Sequence, residues 1–418
     1  MDLDALATRD GNLGTEFTFT YDPPRLRCGR DVVRDLATDL SAIDVERALV
    51  MTGETVGRTA AVMDPIRTGL GDRTVGEFAE TTPAKRLGTA AAAARRIEGS
   101  RADSIVAVGG GSTLDVAKQA SVLVARSRAS ERSLDATLEA AADEFADRGT
   151  LTVPDAGLLP IIAIPTTLAG ADLSQVAGAT MAAEGPFGSE AVSGGLGASG
   201  LMPAVVVWDS TLLATTPEAV ITGSAMNGFD KGLEALYAAN RTPITDATAT
   251  HGLESFAAGL RAFGAGNRTP AVYDALARGS LLVQYGISRP DGGMLSLIHA
   301  FGHGLTAAWP IQQGVAHAVI APHALEYLFE AVDGRRRLLA TALDVEGAAD
   351  PARAVIEAIM DLRDGLGLPR RLRAVDGTDR GALDEIARRT HRDSFMANAP
   401  PGLEPTVEEL EEVLEAAW

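Results

Sequence analysis

Residues 104–118 read SIVAVGGGSTLDVAK, and this stretch restricts the fold more than any other in the chain. A run of small and β-branched apolar residues gives a strand, the glycines and serine that follow give a sharp turn, and Thr-Leu-Asp-Val-Ala-Lys has helical composition. A strand that turns straight into a helix belongs to a repeating βα pattern, in which strands lie parallel and helices cross between them. The same geometry gathers unpaired N–H groups and the positive end of the helix dipole at one point, where glycine lets a ligand approach the backbone. A pyrophosphate suits such a point, although the four turn residues alone also fit any tight strand-to-helix connection.

The first half of the chain repeats the pattern. Residues 17–21, 48–52, 104–108, 161–164 and 204–207 are the expected strands, with helices over 82–98 and 113–124. Residues 127–150 alternate charge signs within a helical composition and read as an exposed insertion, whereas residues 184–200 carry the glycine and serine of a hairpin or loop. From about residue 215 onward, apolar periods of three to four residues take over, as in 254–263, 318–331, 351–366 and 407–418. The expected architecture is an α/β Rossmann-like nucleotide-binding domain over residues 1–212, followed by an all-α catalytic domain over residues 213–418.

Charge narrows the choice of partner. With 37 Lys and Arg against 56 Asp and Glu, the net charge is −19, and the pI is about 4.8. Nucleic-acid binding needs a broad basic face, and a membrane-surface anchor needs a basic stripe, so both are disfavoured. The single cysteine, Cys28, excludes an intramolecular disulfide framework and any thiolate-rich metal site. The N-terminus MDLDALATRDGN is acidic where a signal peptide is basic and then apolar, and no run approaches the ~18 apolar residues of a membrane span. A cytoplasmic protein is the expectation. Lys85, Lys118 and Lys231 are the only lysines. An acidic surface so poor in lysine is the pattern of a halophilic cytosol, and a base composition favouring arginine produces it too.

Gly109–Lys118, GGGSTLDVAK, resembles the GGGSxxDxAK signature of the iron-containing alcohol dehydrogenase superfamily, which also holds glycerol dehydrogenases, maleylacetate reductases and, more distantly, dehydroquinate synthases. PTTLAG at 165–170, VWD at 207–209 with Pro217, EALYA at 234–238, PITD at 243–246, His299 with His303, APH at 321–323 and NAP at 398–400 match later landmarks of that family in order. PTTLAG, Met226-Asn227 and EALYA are most similar to the maleylacetate reductase branch. The resemblance implies the dehydroquinate synthase-like architecture, a reaction that moves hydride between a nicotinamide and a small alcohol/carbonyl pair (an aldehyde or keto acid), and a homodimer. It further implies that Gly109, Gly110, Gly111 and Ser112, with Asp115 and Lys118, hold the cofactor, and that Thr166 and Thr167 approach its nicotinamide end. Where relatives place an Asp after the second strand to meet the adenosine ribose, this chain has Thr52-Gly53. Gly53 leaves room for a 2′-phosphate and favours NADP(H); the neighbouring Glu54 favours NAD(H) if it turns inward.

Metal-dependent members of the family hold Fe or Zn with an Asp and a His four residues apart and two later His. Placed by EALYA, the corresponding positions here are Asn227, Lys231, His299 and Gln313. A protonated lysine about 4 Å from a divalent ion is repelled by roughly 8 kcal/mol at an effective dielectric of about 20. Deprotonating it at neutral pH costs about 5 kcal/mol. No tightly bound metal is therefore expected, and Lys231 would take over the task of holding the substrate oxygen. His299 and His303 would orient substrate and relay a proton, with Asn227, Gln313 and His317 as substrate contacts. A helix slipped by three residues would instead offer Asp230, Glu234, His299 and His303 to a metal. A decayed, non-catalytic nucleotide-binding relative is the other rival. His323 caps or packs in this reading, and His251 and His391 carry no signal.

Overall fold

The computed structural model describes residues 17–21, 23–130, 132–182, 192–289 and 293–418. Residues 1–12, used above against a signal peptide, and residues 184–191 of the glycine-rich 184–200 stretch lie outside the described residues. Two compact units emerge. Among the described residues, one is formed by residues 23–167 and 171–216, the other by Leu168–Gly170 and Pro217–Trp418 together with residues 17–21.

The first unit is built on strands β1 (Arg25–Gly29), β2 (Ala48–Gly53), β3 (Thr74–Thr81), β4 (Ser104–Gly109), β5 (Ile161–Pro165) and β8 (Val205–Asp209), with an antiparallel hairpin of β6 (Val176–Met181) and β7 (Val192–Gly197). The six-stranded sheet runs β1-β8-β5-β4-β2-β3 and every pairing in it is parallel. Its helices are α1 (Leu36–Ser41), α2 (Glu54–Arg58), α3 (Ala60–Leu70), α4 (Leu87–Ser100), α5 (Gly111–Ala129), α6 (Leu134–Arg148) and α7 (Ser210–Leu213). The central strands are covered on both faces, which is why ALVM, SIVAV, IIAI and VVVW are unbroken apolar runs with no alternation. One face packs Val50, Val106, Ile162 and Val205 against Leu36, Leu40, Val62 and Ile66. Asp209, fully buried at the end of β8, accepts the N–H groups of Asp31, Val33, Thr211 and Leu212 and so pins the start of both flanking segments.

Two expectations are corrected here, and one strand was not foreseen. Residues 17–21 form no strand: Phe19 and Tyr21 meet edge to face, and Tyr21 packs against Tyr285 with ring centroids 4.9 Å apart. Their alternating aromatics satisfy side-chain packing and make no ladder. The 127–150 segment is no exposed insertion, because α6 buries Leu138, Ala141, Ala142 and Phe145 within the unit. β3 escaped sequence reading because Gly76 and Glu77 interrupt its alternation at a sheet edge.

The second unit is helical: α8 (Glu218–Tyr237), α9 (Pro243–Gly264), α10 (Pro270–Ile287), α11 (Leu297–Ala308), α12 (Gln313–Ala331), α13 (Arg336–Ala342), α14 (Pro351–Gly365), α15 (Leu383–Arg392) and α16 (Val407–Ala417). Thr242 and Thr245 close a reciprocal capping box at the start of α9, and Pro243 occupies the first turn. α9 and α10 lie so close that a Cβ on Gly279 would fall 2.6 Å from the Phe256 amide nitrogen. Among the described residues no helix is long and apolar enough to cross a membrane.

Candidate functional site

In the α/β unit the glycine turn forms as the sequence predicts. β4 ends at Gly109 with φ of 154°, in the region that favours glycine, and a Cβ there would sit 2.7 Å from Thr113 Oγ1. Gly110 is the N-cap of α5 and supplies no side chain to the first turn, so the amides of Gly111 and Ser112 open a helix of 19 residues without a capping group. Thr166 N–H donates to Gly109 O at 3.1 Å, and the position of a Cβ on Gly110 lies 3.0 Å from Thr167 Cγ2. The turn and the two threonines are thus brought together. An uncapped, glycine-only approach to a helix N-terminus fits the pyrophosphate of a dinucleotide.

The two other residues expected at this site are engaged elsewhere. Asp115 receives the Lys85 ammonium at 2.6 Å. Lys118 is fully buried and donates to Ser174 O at 2.6 Å and Val176 O at 3.0 Å, which ties the start of β6 to α5; burial pushes its pKa down to about 8. Gly53 closes β2 where a Cβ would lie 3.2 Å from Thr81 O. The approach of β3 therefore gives that glycine a packing reason of its own. Beyond the ends of β2 and β3 lies a cavity of about 520 Å³ lined by Glu54, Gly57, Arg58, Glu80 and Thr81.

In the helical unit, Asn227, Asp230, Lys231 and Glu234 share α8, and positions 227, 231 and 234 fall on one face by helical spacing. α11 begins without a side-chain cap of its own. The buried carboxylate of Glu234 supplies that cap, accepting Ser296 N–H at 3.0 Å, Ile298 N–H at 2.7 Å and His299 N–H at 3.1 Å. It also takes His299 Nδ1–H at 2.6 Å. A donated Nδ1–H leaves the lone pair on Nε2, 3.2 Å from Asn227 Oδ1; two acceptors cannot bond, so this tautomer pairs with Asn227 only when the amide is turned over to donate Nδ2–H. Lys231 Nζ donates to Gly170 O at 2.5 Å, so the PTTLAG segment holds the ammonium in place. His303 donates from Nδ1 to Asp393 Oδ2 at 2.8 Å, and its ring, with 45% of the side chain exposed, lies 4.8 Å from Phe395.

His317 does not stand with the substrate contacts. It is completely buried, its ring edge-on to His299 at 4.4 Å and its Nδ1 3.4 Å from Asp230 Oδ2. Gln313 opens α12, whose next residue, Gly314, abuts Gly223 and Asn227 of α8. Burial governs the electrostatics. It pushes the Glu234 carboxyl up to about 7 against its backbone hydrogen bonds, and, with the Glu234 charge, lifts Asp230 well above the carboxylate range. Burial, together with His317 and the Lys231 ammonium, holds His299 well below its usual value, so the ring is neutral. The His303 hydrogen bond keeps Asp393 ionised despite partial burial.

Iron or zinc needs three or four lone-pair donors converging on one point. Among the described residues no such group of His, Cys, Asp or Glu exists. Glu234 is engaged by α11 and His299, His303 by Asp393, and the family's first His position is Lys231, whose Nζ is on Gly170 O, so neither the family's ligand positions nor the slipped set offers a metal three converging donors. Sequence reasoning missed Asp393 and Phe395, which lie far along the chain from His303, and the role of Glu234 as a cap.

The chain thus carries a parallel α/β unit with a glycine turn at a helix start and a helical unit with a buried His–Glu pair and a lysine anchored on Gly170. The sequence matches the iron-containing alcohol dehydrogenase family over residues 23–210 and the C-terminal region of the Fe-containing alcohol dehydrogenase family over residues 221–418, and the chain belongs to that family, on its maleylacetate reductase-like side. Maleylacetate reductase of Sphingobium indicum is 27% identical over 378 residues, spanning 88% of this chain and 91% of the relative. The crystal structure of maleylacetate reductase from Agrobacterium tumefaciens superposes with a TM-score of 0.76 at 21% identity, covering 97% of this chain and 99% of that one. Sulfoacetaldehyde reductase from Bifidobacterium kashiwanohense, solved in complex with NAD+, gives a TM-score of 0.80 at 20% identity over 96% of this chain and 99% of that one.

Proposed function

We propose that this chain is an NAD(P)(H)-dependent alcohol dehydrogenase or carbonyl reductase for a small aldehyde or keto acid, working as a cytoplasmic homodimer without a resident metal. The observation that carries the reading is the α8 constellation: a neutral His299 oriented by Glu234, with Asn227 Oδ1 3.2 Å from its Nε2, and Lys231 of the same helix anchored on Gly170 O. The bound nicotinamide supplies or accepts the hydride. Gly109, Gly110, Gly111 and Ser112 would hold its pyrophosphate, and Thr166 and Thr167 would border its nicotinamide end. Lys231 would hold the substrate oxygen and stabilise the alkoxide charge as it develops, a task worth about 10²–10³ in rate for a preorganised donor. His299 would fix the substrate's orientation through Nε2, with Asn227 and Gln313 as further contacts. His303, exposed and paired with Asp393, would pass the proton between the substrate oxygen and solvent. The names of its relatives, reductases of maleylacetate and sulfoacetaldehyde, support a carbonyl substrate that carries an anionic group.

The test is a panel of small aldehydes and keto acids assayed with NADH and NADPH in molar salt, on protein stripped by exhaustive chelation. Retained turnover supports the proposal. Activity abolished by EDTA and restored by Fe or Zn would refute the metal-free mechanism; cofactor binding with no turnover across the panel would refute catalysis altogether.

A further inference from the structure

The cavity beyond β2 and β3 carries a second message. In the sheet, Thr52 of β2 lies beside Val108 of β4, and Gly53 lies beside Thr81 of β3. The end of β2 therefore sits one strand, about 4.8 Å, from the glycine turn. In doubly wound sheets the strand beside the phosphate turn ends where the adenosine ribose is read: an acid accepts from the 2′-hydroxyl, or an arginine meets a 2′-phosphate. This chain places both at that position. Glu54 and Arg58 open and close α2, line the same cavity and bind each other, Oε1 to Nη2 at 2.7 Å. Their side chains are 66% and 79% exposed, so either is able to turn toward a ligand. Glu80, on β3, lines the cavity too.

We infer that the Glu54–Arg58 ion pair sets the choice between NAD(H) and NADP(H). This rests on the nicotinamide-dependent reading above and names the residues that would decide its cofactor. With the pair closed, the carboxylate is shared between Arg58 and the ribose diol, and NADP(H) binds by drawing Arg58 onto its 2′-phosphate while Glu54 repels it. The two residues thus oppose each other, and wild type uses both dinucleotides. An exposed ion pair is held weakly, so opening it is a minor obstacle. A unit charge near 4 Å in water changes affinity for a phosphate by about 1 kcal/mol, or roughly five- to tenfold.

The experiment titrates NADH and NADPH separately into the full chain in 0.1 M salt, following nicotinamide fluorescence, for wild type, Glu54→Gln, Arg58→Gln and Arg58→Lys. The expected result is opposite shifts in the ratio of the two dissociation constants. Glu54→Gln moves it roughly five- to tenfold toward NADPH, Arg58→Gln moves it as far toward NADH, and Arg58→Lys stays near wild type because it keeps the cation. Ratios unchanged within about twofold, or shifted the same way by both Gln variants, would overturn the inference and leave the wider function standing. Failure of wild type to bind either dinucleotide would overturn both.

Discussion

Glu234→Gln keeps the shape of the side chain while removing its charge and one acceptor oxygen. In the folded chain this carboxyl meets the amides of Ser296, Ile298 and His299 and the His299 ring, yet burial pushes its pKa from 4.5 to about 7. A carboxyl whose pKa is raised on folding binds more proton in the folded than in the unfolded state. Its stabilising contribution is therefore complete below pH 4.5 and is lost as pH rises through 7. At about 1.36 kcal/mol per pH unit, that interval is worth about 3 kcal/mol. Glutamine does not titrate. The stability of wild type minus that of the variant should thus fall by about 3 kcal/mol between pH 4.5 and pH 8, measured by urea unfolding at constant high salt with linear extrapolation. The same variant offers an amide N–H to Nδ1, which forces His299 to carry its proton on Nε2, a tautomer change visible in ¹⁵N shifts of the ring. A stability difference that stayed flat or widened with pH would show that the four donors outweigh burial. The carboxylate would then lie below its usual range, and the reasoning would be wrong.

Three other outcomes are expected. Lys231→Met should lower kcat by about 10²-fold or more, with wild-type activity indifferent to chelators, as steady-state kinetics will show. Lys118→Met removes an ammonium whose pKa is depressed by burial from 10.5 to about 8. The depressed value means that wild type gains on the variant as pH rises from 8 to 10.5, by about 3 kcal/mol in unfolding experiments, and loses that advantage as pH falls through 8. Gly228→Ala would drive a Cβ to within 1.9 Å of Leu168 O, so α8 and the 168–170 segment must part, lowering stability by about 1–3 kcal/mol in thermal melts.

Local chemistry made much of this protein readable. The β4 run, its glycines and α5 are contiguous, so the turn was visible in a single string, and the unbroken apolar strands follow from burial on both faces. Residues 17–21 misled because alternating aromatics serve a helix surface as well as a ladder, and α6 misled because its charge hides one apolar stripe. The positions of Asn227, Lys231, His299 and Gln313 were fixed by motif spacing, whereas their partners were not.

Sequence alone determined the central strands, the parallel α/β pattern followed by helices, and which residue types stand at each family position, because these depend on neighbours along the chain. Tertiary structure decided what each polar group does with its hydrogen bonds. It tied Lys231 to Gly170, committed Lys118 to the β6 backbone, set Glu234 under α11, buried His317 behind His299 and joined His303 to Asp393. Those pairings span tens of residues, and a buried donor or acceptor takes whichever partner packing brings within 3 Å, a distance that no local pattern encodes.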